Sequence, residues 1–517
     1  MTSPRARAIF ALALCGIAAV YFLRLDPVAG LMVDDAWYLV LAKAIAQGDG
    51  YRLISSATAQ VLPAVPPGFP LLLSPLVMAL PAFPDYVIWV KLLSIAATFI
   101  AAAICWRDFT QHRGLSPTEA TLIVAAVLLT PALVFLTTST VMSEGVYLLA
   151  QVAAIVAIER ITRQDASDHR PPIVAAILSG IAMLIRSTAA ALIAAAIVYL
   201  LIARRWRQAA IFTAIVILCM LPWTLYASAH APTAEERAAH GGSIAYSYAQ
   251  LLTTSRFSFA NPERDAATTG ALVDRAAQNL TVVLTRDVGA VFLPVIYRGP
   301  DESGREVFSI GRPQMGDMGV ARGTMFVSAA IGVIILVGWL ASARERFAMP
   351  GLLLAATLPL IAPVVGQTFR YLIPLAPYLV LFFWRGLRSP AIARIALLIV
   401  IGLHVMDHAG YVRQKFTAVP ESLADWRENS ELTAWIANNV KPNEAIATTN
   451  PGLIYLATGR RTVAIDGMDL NWQRWKTAGV RFVACTIPYG ELPLKTLGWQ
   501  LRFKSERRGL WVVEMTD

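Results

Sequence analysis

Asp34 and Asp35 stand side by side in GLMVDDAWYLVLAKAIAQGDGYRL, directly behind an apolar run from Ala8 to Leu23. Glu144 lies in STVMSEGVYLL, Arg186 interrupts AMLIRSTAAALI, and Arg370 sits in GQTFRYLIPLAPYLVLFF. An ionised group at mid-bilayer costs about 2.5–3.5 kcal/mol on insertion scales, so each of these residues needs a partner or a watery cavity. Two acidic sites and two arginines meeting on one face would make a cavity that handles an anion and takes up a proton. A positioned carboxylate that accepts a proton from a hydroxyl contributes about 10²–10⁴ in rate. Arginine holds a phosphate through charge-assisted, often bidentate hydrogen bonds.

Each of these residues also has a plainer reading. Asp34 or Asp35 fits equally well as the cap of an amphipathic helix, Ala36–Gln47, with Trp37, Leu41, Ala44 and Ile45 on one face. Ser143 fits as a helix cap, with Glu144 favourable near the positive helix end. Arg186 could snorkel to headgroups. That account is weaker for Arg370, because arginine on the outer face opposes the positive-inside trend. His404 and His408 flank Asp407 at a spacing that can bind a metal, but an ordinary interfacial cluster is the simpler reading. The sequon NLT at 279–281 is too common a pattern to use.

The elements that must position these residues are membrane helices. The chain has 517 residues, 56% hydrophobic and 15% charged, with a mean hydropathy of +0.57. That balance belongs to a polytopic membrane protein. The net charge of +10 comes from Lys and Arg in short loops between apolar runs, so it reports topology and not nucleic acid. Of Cys15, Cys105, Cys219 and Cys485, three lie in apolar segments and none forms a CxxC pair. The run at the N-terminus has no convincing cleavage site after it and reads as a retained helix.

Further candidate spans cover 86–105, 119–136, 144–159, 172–186, 188–203, 209–228, 324–342, 348–366, 371–385 and 391–406. With about eleven spans, Arg5/Arg7, WRDFTQHRG, ERITRQ, ARRWRQ, ARERF and WRGLRS all fall on the cytoplasmic side. This holds only if PPGFPLLLSPLVMALPAF, with its five prolines, is not a full span. The expected architecture is an all-α polytopic domain over 1–406, with outward loops at 24–85 and 229–323, followed by a small extracytoplasmic α/β domain over 407–517. In that tail NSELTAWIANNV reads as a helix capped by Ser430, and EAIATT, RTVAI, VRFVACTI and GLWVVEM read as short strands. No phosphate loop of the GxxxxGK[ST] type is present, which disfavours an ATP-driven pump.

DDAWYLVLAKAIAQGDGY, then PPGFPLLLSPL, then SEGVYLLAQ, then RYLIPLAPYL resemble in order and spacing the polytopic C-type-fold (GT-C) glycosyltransferases. The nearest branch is that of the protein O-mannosyltransferases and the lipid A aminoarabinose transferases. The resemblance implies transfer of a sugar, with inversion, from a polyprenyl-phosphate carrier to an acceptor glycan, lipid or protein at the outer face. It implies Asp34 as base, Asp35 as its neighbour and Glu144 as the second acidic site. Arg186 and Arg370, with Tyr371 beside the latter, are the candidates for holding the donor phosphate. Tyr38, Pro67, Tyr246 and Tyr248 are the candidates for the acceptor or lipid groove, and SIAYSYAQLLTTSRFSF is expected to meet the acceptor. The aminoarabinose branch has charged residues just before its PP turn, used in the site and in metal binding; here Ala64 and Val65 stand there. This argues against an aminoarabinose donor and leaves a divalent metal open. A bacterial inner membrane is the expected location, with the N-terminus cytoplasmic and the tail periplasmic. A proton-coupled transporter or flippase of an anionic or lipid-linked substrate is the alternative.

Overall fold

The computed structural model describes residues 3–515 except 166–167, 241–243, 245, 247–249, 251–266, 295, 301–305, 311–321, 343–346, 365–368, 418–420, 466–474, 477, 487–498 and 507–508. Ten helices lead from the N-terminus to residue 229: α1 (Pro4–Arg24), α2 (Asp34–Gln47), α3 (Gly68–Ala79), α4 (Val87–His112), α5 (Pro117–Leu128), α6 (Pro131–Thr138), α7 (Glu144–Arg163), α8 (Arg170–Ile185), α9 (Ala189–Ile202) and α10 (Trp206–Ala229). Among the described residues, α1, α4, α7, α10 and the helix Pro390–Thr417 are long and apolar enough to cross a membrane. The pair α5 and α6 is bent by 56° and makes a sixth span if counted as one.

The remaining sequence-read spans appear as shorter apolar helices, α8, α9, Phe326–Ala341 and Met349–Ile361. The span read at 371–385 is broken into Phe369–Leu372, a 3-10 turn Ile373–Leu375 and Ala376–Gly386. Pro374 and Pro377 cause the break, since neither supplies a backbone N–H and each crowds the preceding turn. Proline also shapes 66–83, where only Gly68–Ala79 is helical. At 12 residues that helix is too short for a straight span.

Small residues let the helices close up. Gly145 has no Cβ where one would lie 2.6 Å from Thr98 Oγ1 and 2.9 Å from the Ser94 carbonyl, so α4 and α7 meet beside Glu144. Gly338 and Gly386 likewise bring the helix Arg322–Ala341 against Ala376–Gly386, with the Phe382 and Ile334 carbonyls in the space side chains would need.

A two-stranded antiparallel ribbon, β1 (Ile296–Pro300) with β2 (Glu306–Ile310), lies in the 229–323 insertion. The tail carries β3 (Ala445–Thr448), β4 (Thr462–Ala464), β5 (Val480–Cys485), β6 (Gln500–Lys504) and β7 (Trp511–Glu514) in the order β4-β3-β5-β7-β6. Pairing is parallel on both sides of β3 and antiparallel from β5 outward. The helices Glu421–Asn439 and Pro451–Thr458 complete the α/β domain. Ser430 therefore lies inside its helix and does not cap it; its hydroxyl donates back to the Trp426 carbonyl at 2.6 Å. The helix Pro390–Thr417 runs without a break through 407, so the last membrane helix continues toward the tail.

Region 24–85 is a packed layer. One face of α2, including Trp37, Leu41 and Ile45, packs with Tyr51, Leu53, Val61, Leu62 and Tyr246. The Tyr51 hydroxyl donates to the carbonyls of Val65 and Pro66 at 3.1 Å each, which fixes the entry to α3. A Cβ on Gly68 would lie 2.7 Å from the Leu184 carbonyl, so α3 begins hard against the end of α8.

Candidate functional site

Arg370 draws residues from three parts of the chain together. Its Nη1 donates to Asp34 Oδ2 at 3.0 Å and its Nε to Glu144 Oε1 at 3.0 Å. Arg186 Nη1 lies 2.9 Å from the same Glu144 oxygen and donates to Ser143 Oγ at 3.1 Å. Glu144 Oε2 has no hydrogen-bond partner among the described residues, although Glu144 is fully buried. Arg370 Nη2 faces the Met142 thioether at 3.9 Å, a weak acceptor.

Local structure explains each placement. Arg186 ends α8 in an extended conformation, at the turn before α9. Glu144 is the first residue of α7, where the helix dipole favours an anion. Ser143 makes no cap bond, because its hydroxyl is turned to Arg186. Arg186 is 9% exposed, so it is ion-paired inside the protein and does not reach for headgroups. The Arg186 guanidinium also lies 5.8 Å from the centre of the Tyr371 ring.

The two adjacent acids do different things. Asp34 opens to solvent, with its side chain 41% exposed. Asp35 is buried and accepts from the amides of Gly30 at 2.8 Å and Met32 at 3.1 Å. It closes the turn before α2 and does not reach the arginine pair. Burial pushes the Asp35 carboxyl above its usual range, with those two amides and Lys91 pulling the other way. Just before Asp34 the backbone makes a tight reversal: the Asp34 amide donates to the Met32 carbonyl at 2.6 Å, and Val33 has φ 60° and ψ −52°. This is a γ-turn of the rare form, here centred on a β-branched residue. Such conformations cost on the order of 1–3 kcal/mol and persist where the surroundings over-determine them.

Lys91, one turn into α4, is fully buried and donates to the carbonyls of Asp26 at 2.7 Å and Val28 at 2.6 Å. The Asp26 carboxylate in turn accepts from Tyr411 at 2.6 Å and Ser139 at 3.1 Å and lies 3.0 Å from Lys415 Nζ. The irregular segment leading to Asp34 is thus held at Asp26 and Val28. The sequence does not reveal these supports, because they pair residues 63 to 389 positions apart. The one visible signal was Lys91 itself, a charge inside an apolar span.

Of the groove candidates, Tyr38 packs edge-on against Phe69 at 5.0 Å, and its phenol feels the charges of Arg186, Asp34, Glu144 and Arg370. Burial pushes that phenol up to about 12. Pro67 immediately precedes α3, half-buried. Tyr246 is buried in the cluster on the Trp37 face of α2 with Arg237 over its ring, apart from the arginine pair. Tyr248 lies outside the described residues, as does most of 243–259.

No protein-family profile matches the chain, and no curated protein matches it. Solved structures do. The structure of ArnT from Cupriavidus metallidurans bound to undecaprenyl phosphate superposes with TM-score 0.59 at 11% identity, over 98% of this chain and 98% of that one. Its apo state gives TM-score 0.59 at 12% identity, over 99% and 98%. The archaeal oligosaccharyltransferase AglB from Archaeoglobus fulgidus, in complex with an inhibitory peptide and a dolichol-phosphate, gives TM-score 0.54 at 12% identity, over 100% of this chain and 75% of that one. The chain has the GT-C glycosyltransferase fold.

Within this GT-C fold, His408, Asp407 and Asn279 have partners inside the protein, while both ring nitrogens of buried His404 have no hydrogen-bond partner among the described residues. His408 Nε2 lies 2.9 Å from the Leu129 carbonyl, and Asp407 lies 3.8 Å from Arg24. Asn279 of the sequon is buried and donates to the Ala362 and Val364 carbonyls at 2.7 Å each. No group of three His, Cys, Asp or Glu side chains is placed to hold a metal among the described residues.

Proposed function

We propose that this protein is an inverting glycosyltransferase that moves a sugar from a polyprenyl-phosphate carrier to an acceptor at the outer face of the membrane. The observation that carries this reading is Arg370, bonded at once to the half-exposed Asp34 and to the buried Glu144, with Arg186 on the same glutamate oxygen. One arginine face is thus backed by a fixed anion while a solvent-reachable carboxylate waits beside it. ArnT, which shares the fold, is described with undecaprenyl phosphate bound.

In this mechanism Asp34 accepts the proton of an acceptor hydroxyl or amine as that atom attacks the anomeric carbon. The bond from that carbon to the phosphate oxygen breaks on the opposite face, which inverts the configuration. The electron pair leaves with the carrier phosphate, whose growing charge is met by Arg370 and Arg186. Glu144 keeps both guanidiniums in place and prevents two unpaired cations from repelling each other inside the protein. Tyr38 and Tyr371 flank the charges and limit water.

The test is release of polyprenyl phosphate, followed by mass spectrometry, from polyprenyl-phosphate-linked pentoses and hexoses supplied with a lysate of acceptors. Release by the wild type that falls at least a hundredfold in a folded Asp34→Asn variant is the expected result. A wild type that binds these lipids without cleaving them would favour the transporter reading instead.

A further inference from the structure

The C-terminal domain grips the loop that carries Asp34. Asn450 stands just before the helix Pro451–Thr458; its Oδ1 accepts from the Leu453 amide at 3.3 Å, and its Nδ2 donates to the Gly30 carbonyl at 2.7 Å. Gly30 is therefore held at its carbonyl by the tail and at its amide by Asp35. A Cβ on Gly30 would lie 3.1 Å from Leu453 Cδ2, and one on Gly452 would lie 2.9 Å from Ala36 Cβ. These contacts fall at residues 30 and 36, on either side of the γ-turn Met32–Val33–Asp34. A turn strained at a β-branched residue keeps its shape only while its ends are held apart from their relaxed positions.

We propose that Asn450 is a positioning residue, through which the C-terminal domain holds the turn at Val33 and so sets the direction of the Asp34 carboxylate. The proposal rests on the reading of Asp34 as the base, and it gives the tail a part in the reaction without contact to the sugar. Lys91 of α4 holds the segment before that turn, through the carbonyls of Asp26 and Val28. The tail and the membrane domain thus share one loop between them.

The test uses the full-length protein with Asn450→Ser. Serine keeps the helix cap but is too short to reach Gly30. Two quantities are measured: hydrogen exchange of the backbone amides over residues 28–36, and the donor turnover described above, split into kcat and donor KM. Exchange is expected to speed up at least tenfold and kcat to fall at least tenfold, with donor KM changed less than twofold. Val33→Gly added to Asn450→Ser is expected to recover most of the lost kcat, because glycine takes φ near +60° without strain. Leu453→Val, a milder change to the same contact, is expected to shift exchange in the same direction if Asn450→Ser does not fold. Exchange rates that stay within twofold of wild type in these variants overturn the proposal, whatever the turnover does. Turnover that survives Asp34→Asn overturns the base assignment alone; faster exchange in Asn450→Ser would still show that the tail holds the turn.

Discussion

The two ends of α7 each carry a buried glutamate bound by two arginines, and they are built for different ends. Glu144 and Glu159 are separated by about 22 Å at 1.5 Å per residue. At the far end, Glu159 Oε2 receives Arg113 at 2.6 Å and Arg163 at 2.8 Å, while Oε1 accepts from the Met349 amide at 3.2 Å. Arg113 also binds Asp108 at 2.9 Å, and its carbonyl accepts from Arg385 at 2.5 Å. Both Glu159 oxygens are used, and the pieces they tie are α4, α7, the Met349 helix and the helix of Arg385. At the near end Glu144 spends one oxygen on both arginines and leaves the other without a partner among the described residues. The chain of bonds there ends on Asp34, which water can reach. A closed network of charges fastens helices. An open one, with an exposed acid and a buried carboxylate oxygen left without a partner among the described residues, has capacity left for a substrate.

That contrast can be broken by exchanging losses between the ends. Asp34→Asn should lower turnover by about 10²–10⁴ while leaving the melting temperature near that of the wild type, since it removes a proton acceptor at an exposed end. Glu159→Gln should do the reverse. It leaves Arg113 and Arg163 without their shared anion, a change that costs about 3–5 kcal/mol for a buried pair. Denaturation in detergent should show that loss, with turnover per folded molecule unchanged; lost turnover without lost stability would mean that the two ends are not distinct.

Smaller effects sharpen the comparison. Arg370→Lys keeps the charge but loses the fork that joins Asp34 to Glu144. A fall of roughly tenfold to a hundredfold in kcat/KM for the donor is expected, about 1.4–2.8 kcal/mol of transition-state stabilisation. Asp35→Asn should matter least to chemistry. It gives up one acceptor for the Gly30 and Met32 amides and should cost about 1–3 kcal/mol of stability, with turnover per folded molecule reduced less than tenfold. A hundredfold loss of turnover there, in protein that stays folded, would move the base from Asp34 to Asp35.

What was legible in the sequence was mainly what is rare in it. Charged residues inside apolar runs cannot be bystanders, so Asp34, Glu144, Arg186 and Arg370 could be named without knowing that they touch. Apolar spans and the strands β3, β4, β5 and β7 were legible through hydropathy and alternation. Adjacent residues of one type were the harder case. Nothing in the pair Asp34–Asp35 says that one carboxylate faces solvent and the other turns back to cap a loop, because that is decided by the reversal at Val33. Ser430 misled because serine caps helices and also bonds back inside them. β6 was missed although QLRFK alternates polar and apolar residues, because the run is only five residues long and charged, and only Phe503 along it is not exposed. The supports from Lys91, Tyr411 and Asn450 are long-range pairings, which a single sequence does not encode in any local pattern.

Backbone of the region 24–85 also completes the tail's sheet. The Thr462 amide donates to the Ser55 carbonyl at 2.7 Å and its carbonyl accepts from the Ala57 amide at 2.9 Å, a parallel bridge along the free side of β4. An unprotected strand edge invites pairing with any other chain that offers one. Cut away from the membrane domain, the tail would expose that edge, and at high concentration it is expected to self-associate. The region that carries Asp34 thus also acts as a guard against aggregation.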